Sequence, residues 1–246
     1  MGKERMESPR ELMSRVGETF SVEWFVETGT FHGETTRWAS ETFPRVVTIE
    51  LSDDLYERTA ERYGSIPNIE FVHGSSESEL PKVVDRLDGP TVFWLDAHYS
   101  GGETAGDTYE CPLLEELAAV GNTNVEPFVF IDDARDFLSP PPRPHAPEDW
   151  PTIDEVILTI REELGADYYV VVVEDIIVVV PPSAEELVKS YAQDVATERW
   201  EESQVRRGCR LIYTGLIDSL VSDRTVYFLR RTGLYPLGRK VYHLLD

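Results

Sequence analysis

Short apolar runs alternate with longer amphipathic stretches along most of this chain. Trp24-Phe25-Val26 is the first run, and Glu27 closes it. Arg45 to Leu51 (RVVTIEL), Ile69 to Val72, Thr91 to Leu95 (TVFWL) and Phe128 to Ile131 follow at similar intervals. Each reads as a strand, and TVFWL is apolar throughout, as a strand covered on both faces must be. Between them, the spacing of apolar residues predicts helices from about Gly33 to Thr42, Asp53 to Tyr63, Glu79 to Leu87, Pro112 to Val120 and Ile153 to Leu164. Tyr168 to Val173 and Ile176 to Val180 are apolar strands parted only by Glu174-Asp175, which makes them a tight hairpin. The Pro-rich stretch Leu138 to Trp150 predicts an irregular loop.

Strand and helix alternating in this way predict an α/β fold: a mostly parallel, Rossmann-like sheet of seven strands. Helices cover both of its faces, and the hairpin makes the last strand antiparallel. Residues 1–23 are polar and read as a helical or flexible segment with a short helix from Pro9 to Val16. Residues 24–181 form the sheet domain. Residues 182–246 are a helical C-terminal extension that opens with an amphipathic helix, Ser183 to Glu202.

Charge narrows the function. The 246 residues carry a formal net charge of −23, and the four lysines are Lys3, Lys82, Lys189 and Lys240. Scattered acid of this density argues against a nucleic-acid footprint, which needs a basic face. It resembles the proteome style of salt-loving organisms, or else marks an acidic mesophile protein. No apolar run is long enough to span a bilayer and no apolar signal core opens the chain, so a soluble, cytoplasmic protein is expected. The two cysteines, Cys111 and Cys209, fit a reducing compartment. Cys111, beside Pro112 at a helix start, is either an ordinary small residue or a thiol of lowered pKa. From Arg206 onward the chain is locally basic and rich in tyrosine. That segment is a helical cap with solvated charges, or a surface for homodimerisation, substrate capture or an anionic partner.

Ligands of such sheets sit at the carboxyl ends of the strands. Those ends here are Glu27, Glu50, the segment Gly74 to Ser76, Asp96, and Asp132-Asp133. In Trp24 to Thr36 (WFVETGTFHGETT), Gly29 and Gly33 permit a turn between strand and helix, and Gly33 leaves room for a ligand. Glu27 suits an amino group, and the Thr hydroxyls with the helix amides suit a carboxylate; a tight connection with no ligand is the alternative. Glu50 suits a ribose diol. Ser75 or Ser76 either hydrogen-bonds an adenine edge or only forms the turn. Asp96, Asp132 and Asp133 converge from neighbouring strands, and either a divalent cation such as Mg²⁺ or Arg135 relieves their repulsion. His98 is a fourth ligand, a general base for a hydroxyl, or neither.

The ordered set ETGTFHGETT, VTIE, HGSSESELP, FWLDAHY and FIDDA resembles the class I S-adenosylmethionine-dependent methyltransferases. Within them it is similar to metal-dependent O-methyltransferases of the catechol O-methyltransferase type. DAHYSGG…LLEEL followed by FIDDA is also similar to the rhamnosyl O-methyltransferase and cephalosporin-hydroxylase-like group. The resemblance implies that Glu27, Gly29, Thr30, Gly33 and Thr35 bind the methionine end of S-adenosylmethionine. It implies Glu50 at the ribose, Ser75, Ser76 and Asp96 toward the rest of the cofactor, and Mg²⁺ on Asp96, Asp132 and Asp133. Where the catechol enzymes have a lysine, three residues past the strand-four Asp, this chain has Tyr99, so His98 with Asp96 becomes the candidate catalytic pair. The expected acceptor is a hydroxyl on a small molecule or saccharide. The alternatives are an inactive nucleoside-binding module whose tail binds a partner, and a metal-dependent hydrolase or hydroxylase on the same fold.

Overall fold

The computed structural model describes residues 7–98 and 110–201. The chain divides into two compact units, 1–192 and 193–246. In the first, helix α1 (Glu7–Phe20) leads into β1 (Trp24–Thr28), α2 (Glu34–Thr42), β2 (Arg45–Glu50), α3 (Asp53–Tyr63), β3 (Ile69–His73), α4 (Ser76–Val84) and β4 (Thr91–Leu95). Then come α5 (Leu113–Gly121), β5 (Pro127–Ile131), the short α6 (Arg135–Leu138), α7 (Ile153–Glu163) and the hairpin β6 (Tyr169–Val173) and β7 (Ile176–Val180). Residues 185–192 are helical, so the start of the expected C-terminal extension belongs to this unit; residues 193–201 are helical in the second unit. Most of the basic tail, with Cys209, lies outside the described residues. No helix among the described residues is long and apolar enough to cross a membrane.

The seven strands form one sheet in the order β3-β2-β1-β4-β5-β7-β6. The first five are parallel to one another, while β7 is antiparallel to both β5 and β6. The order reverses between β1 and β4, the place where such sheets open a crevice. Strand alternation sorts the side chains into two layers. Val26, Val47, Ile49, Phe93, Leu95, Val129, Ile131, Ile177 and Val179 face Leu80 and Val84 of α4, Leu117 and Val120 of α5, and Val156 and Ile160 of α7. On the opposite face, Phe25 stacks on Phe43 and meets the edge of Trp38 of α2, and Phe20 of α1 packs on Phe128 of β5. Polar strand-end residues Glu27, Thr48, Glu50, Asp96 and Asp132 fall on this second face by the same alternation.

Two elements differ from the pattern-based expectation. Helix α1 is longer than Pro9 to Val16: Leu12, Met13 and Val16 carry it onto the sheet, and it runs on to Phe20, whose ring packs on Phe128. Helix α4 starts at Ser76, not Glu79. Ser75 is extended at its N-cap, Glu77 and Glu79 fill its first turn, and Pro81 sits within it. Residues 85–87 then close as turns onto Pro81, Val83 and Val84.

Candidate functional site

At the tip of β1 the backbone is held against its neighbours. The amides of Gly29 and Thr30 donate to the carbonyl of Ile49, and the amide of Asp96 reaches both the carbonyl and the Oγ1 of Thr28. Gly29 has φ +79, and a Cβ there would lie 2.1 Å from the carbonyl oxygen of Asp96. Glycine at this position is therefore demanded by contact between the β1 and β4 ends. Gly33 also has positive φ, +73, but its missing side chain makes room for the ring of Tyr63, 2.9 Å from where a Cβ would be. The expectation that Gly33 leaves room for a ligand is corrected: that space belongs to α3.

Glu50 is 6% exposed and fixed by two backbone amides. Phe31 N donates to its Oε2 at 2.9 Å and Ser52 N to its Oε1 at 2.8 Å. Each oxygen keeps a further lone pair, so the carboxylate remains able to accept two hydroxyls from a diol. Phe31 is in the left-handed region at φ 48 and its ring is exposed beside this carboxylate.

Glu27 is 1% exposed. Its Oε2 accepts the hydroxyls of Thr36 at 2.5 Å and Thr48 at 2.7 Å, and Thr48 Oγ1 also pairs with Thr30 Oγ1 at 2.6 Å. Burial pushes the Glu27 carboxyl up to about 7 against the pull of those hydroxyls; the charge of Glu50 raises it and that of Arg10 lowers it. The expectation that threonine hydroxyls hold a ligand carboxylate is corrected for Thr30 and Thr36, whose hydroxyls are engaged inside the fold. Thr35 lies half-buried on the first turn of α2.

Ser75 Oγ bonds Ser78 Oγ at 3.0 Å. Ser76 is buried, and its hydroxyl, with that of Thr28, donates to Glu116 of α5. The expected bond from Ser76 to an adenine edge thus gives way to an internal one. Glu116 escaped the sequence reading. It lies on the stripe Leu113, Glu116, Leu117, Val120, so the signal was an acid on an apolar face. It is 2% exposed, its Oε1 has no hydrogen-bond partner, and burial raises its carboxyl to about 7. It shares a cavity of about 10 Å³ with Leu95, Ala97, His98, Cys111 and Phe137, about the space that one water needs. The neighbouring Cys111 thiol is pushed up to about 12 by burial, which corrects the option of a lowered thiol pKa.

Beyond β4 and β5 the acids meet a cation from within the chain. His98 Nε2 lies 2.9 Å from Asp133 Oδ2, and its Nδ1 lies 3.7 Å from Asp96 Oδ1. Burial alone would lower the His98 pKa, but the hydrogen bond to Asp133 and the charges of Asp96, Asp133 and Asp132 outweigh it, raising the imidazole to about 9. Arg135 Nη2 takes the other Asp133 oxygen at 2.7 Å, and Arg135 also pairs with Asp175. Asp133 is consequently held below the usual carboxylate range, its burial overcome by His98 and Arg135. The Asp133 amide donates to Asp132 Oδ1 at 2.8 Å, and burial with the charge of Asp133 raises Asp132 to about 6. Asp96 is raised well above its ordinary range, first by burial and then by Asp132, Asp133 and Glu27, against His98.

This arrangement does not fit a magnesium ion on Asp96, Asp132 and Asp133. Both Asp133 oxygens are turned to cationic side chains, and among the described residues no group of three His, Cys, Asp or Glu is disposed to hold a metal. The positive charge that the acids need comes from His98 and Arg135.

His98 is braced by Trp150, whose ring centroid lies 5.3 Å away. Trp150 comes from the Pro-rich loop and is placed by Glu110. Oε2 of Glu110 accepts the indole N–H at 2.7 Å, the amide of Ala146 at 3.2 Å and bonds His145 Nδ1 at 3.1 Å. The glycine-rich stretch Ser100 to Asp107 and Tyr99 lie outside the described residues.

No protein-family model and no curated protein sequence matches the chain. Solved structures do resemble it. The O-methyltransferase from Bacillus cereus in complex with SAH shares 15% identity, covers 71% of this chain and 81% of its own, and superposes with a TM-score of 0.51. The SAH-bound methyltransferase from Podospora anserina shares 14% identity over 70% of this chain and 77% of its own, with a TM-score of 0.49. The likeness is one of architecture: this chain has the seven-stranded, Rossmann-like fold of the Bacillus cereus O-methyltransferase.

Proposed function

We propose that the protein is an S-adenosylmethionine-dependent methyltransferase that methylates a hydroxyl on a small molecule or saccharide. The observation that carries this reading is Glu50. It is an acid at the end of β2, beside the reversal of strand order, held rigid by the amides of Phe31 and Ser52 with lone pairs left for a ribose diol. The fold likeness to an O-methyltransferase supports it. When bound, the cofactor supplies an electrophilic methyl group on a sulfonium. The acid-lined cleft suits a cationic ligand. At neutral pH His98 keeps its proton, so Asp96, a carboxyl of raised pKa with a third of its side chain exposed, is the group to take the proton of the acceptor hydroxyl. Protonated His98, held at Nε2 by Asp133, balances the charge of Asp96, and Trp150 keeps water from that side. No step runs through a metal ion.

Calorimetric titration of S-adenosylhomocysteine tests the reading. Micromolar binding that Glu50→Ala weakens at least ~10-fold, as loss of charge-assisted hydrogen bonds implies, is the expected outcome. Absence of binding by the wild-type protein would sink it.

A further inference from the structure

The amino-acid end of the proposed ligand needs a partner for its carboxylate as well as for its ammonium group. Glu27, at the tip of β1, answers the ammonium group. Two of the donors that the sequence offered for the carboxylate are engaged elsewhere: Thr36 donates to Glu27, and Thr30 pairs with Thr48. A donor without a partner comes from a helix outside the strand-end set. Arg10 stands on the first turn of α1, with its guanidinium 5.6 Å from the centre of the Trp38 ring. Its side chain is half-buried, and Nη2 is shielded from solvent with no hydrogen-bond partner.

Chain direction puts Arg10 at the right edge of the sheet. The last residue of α1, Phe20, packs on Phe128 near the start of β5, so α1 runs from the carboxyl ends of the strands to their amino ends. Its first turn therefore lies beside Glu27 and Glu34, the two acids whose charges act on Arg10. A desolvated guanidinium nitrogen with no acceptor is costly, and a carboxylate is the ligand that satisfies it best, by two parallel N–H···O bonds.

We propose that Arg10 binds the α-carboxylate of the ligand's amino-acid end, opposite Glu27, so that α1 and β1 together form a cradle for a zwitterion. The inference rests on the nucleoside reading above and deepens it. The unfavourable approach of a carboxylate to Glu27, Glu34 and Glu50 makes a cation at this point a requirement of the site.

Two probes separate this proposal from that reading. S-adenosylhomocysteine carries the amino-acid end, and 5′-methylthioadenosine has the same nucleoside without it. Both are titrated into the full-length wild-type protein, Arg10→Met, which keeps the stem over Trp38, and Arg10→Lys, which keeps the charge. The expected result is a loss of ~10-fold or more for S-adenosylhomocysteine in Arg10→Met, recovery in part with Arg10→Lys, and 5′-methylthioadenosine affinity unchanged throughout. Equal affinity of wild type and Arg10→Met for S-adenosylhomocysteine overturns the proposal and leaves the nucleoside reading standing. Equal losses for both probes overturn it too, by assigning Arg10 to the fold alone. If neither probe binds the wild-type protein, both readings fall together.

Discussion

Nε2 of His98 lies 2.9 Å from Oδ2 of Asp133, and His98, with Arg135 on the other Asp133 oxygen, gives the acid cluster its positive charge. The imidazole is raised from 6.5 to about 9 in the folded protein. A group whose pKa is raised on folding stabilises the protein fully below its unfolded value, and that contribution is lost as pH rises through the folded value. Stability is therefore expected to fall between about pH 6.5 and 9. Replacing His98 with Asn should flatten that part of the profile and lower stability at pH 6. Urea denaturation at stepped pH reads both effects; an unchanged slope in His98→Asn would remove the pair from the account.

Glu116 acts in a lower window. Its carboxyl is raised from 4.5 to about 7, so it costs stability progressively as pH rises through that interval. Glu116→Gln keeps an acceptor for the hydroxyls of Ser76 and Thr28 without a buried charge. The variant should be more stable than wild type at pH 8, by ~1 kcal/mol or more, and close to it at pH 5. Thermal melts at the two pH values make the comparison.

Gly29→Ala should be severely destabilising, by ~3 kcal/mol or more, because a Cβ would overlap the Asp96 carbonyl at 2.1 Å and φ is +79. The equivalent change at Gly33 meets the edge of a tyrosine ring at 2.9 Å. That ring can tilt, so its cost should be smaller. Denaturant midpoints of the two variants should rank in that order.

On the proposed function, removal of divalent ions should leave S-adenosylhomocysteine binding unaltered, since Asp133 already holds two cationic side chains. Titration of S-adenosylhomocysteine with Mg²⁺ and with a chelator compares the two conditions. A ~10-fold loss with the chelator would restore the metal to Asp96, Asp132 and Asp133.

The strands and the polar residues at their tips were legible because a fully covered strand leaves an unmistakable apolar run, and the fold then forces its end to the ligand edge. The positions of Glu27, Glu50 and Asp96 at those ends, and of His98 on the loop beyond Asp96, are read in this way. Their partners were harder to see. Arg10 and Glu116 reach the strand ends from helices, where only three-dimensional packing says which turn faces the cleft. Thr36 and Tyr63 show the same difficulty. Thr36 looks like a ligand donor until Glu27 takes its hydroxyl, and Tyr63 fills the space that Gly33 vacates. Glu110 gave no signal at all, since its three donors lie 35 to 40 residues further along the chain.

Glu110 also bears on how such a protein can diverge. Its single carboxylate pins Trp150, His145 and Ala146, while the residues around Glu50 are fixed by the β1 turn and the α3 entry. The two sets share no hydrogen bond among those described here. Substitutions elsewhere in the Pro-rich loop can therefore reshape the wall beside His98 while Glu110 keeps it anchored and Glu50 stays in place. On the proposed function, one fixed half-site serves many acceptors, and a library confined to residues 139–144 is where new acceptor preference should be sought.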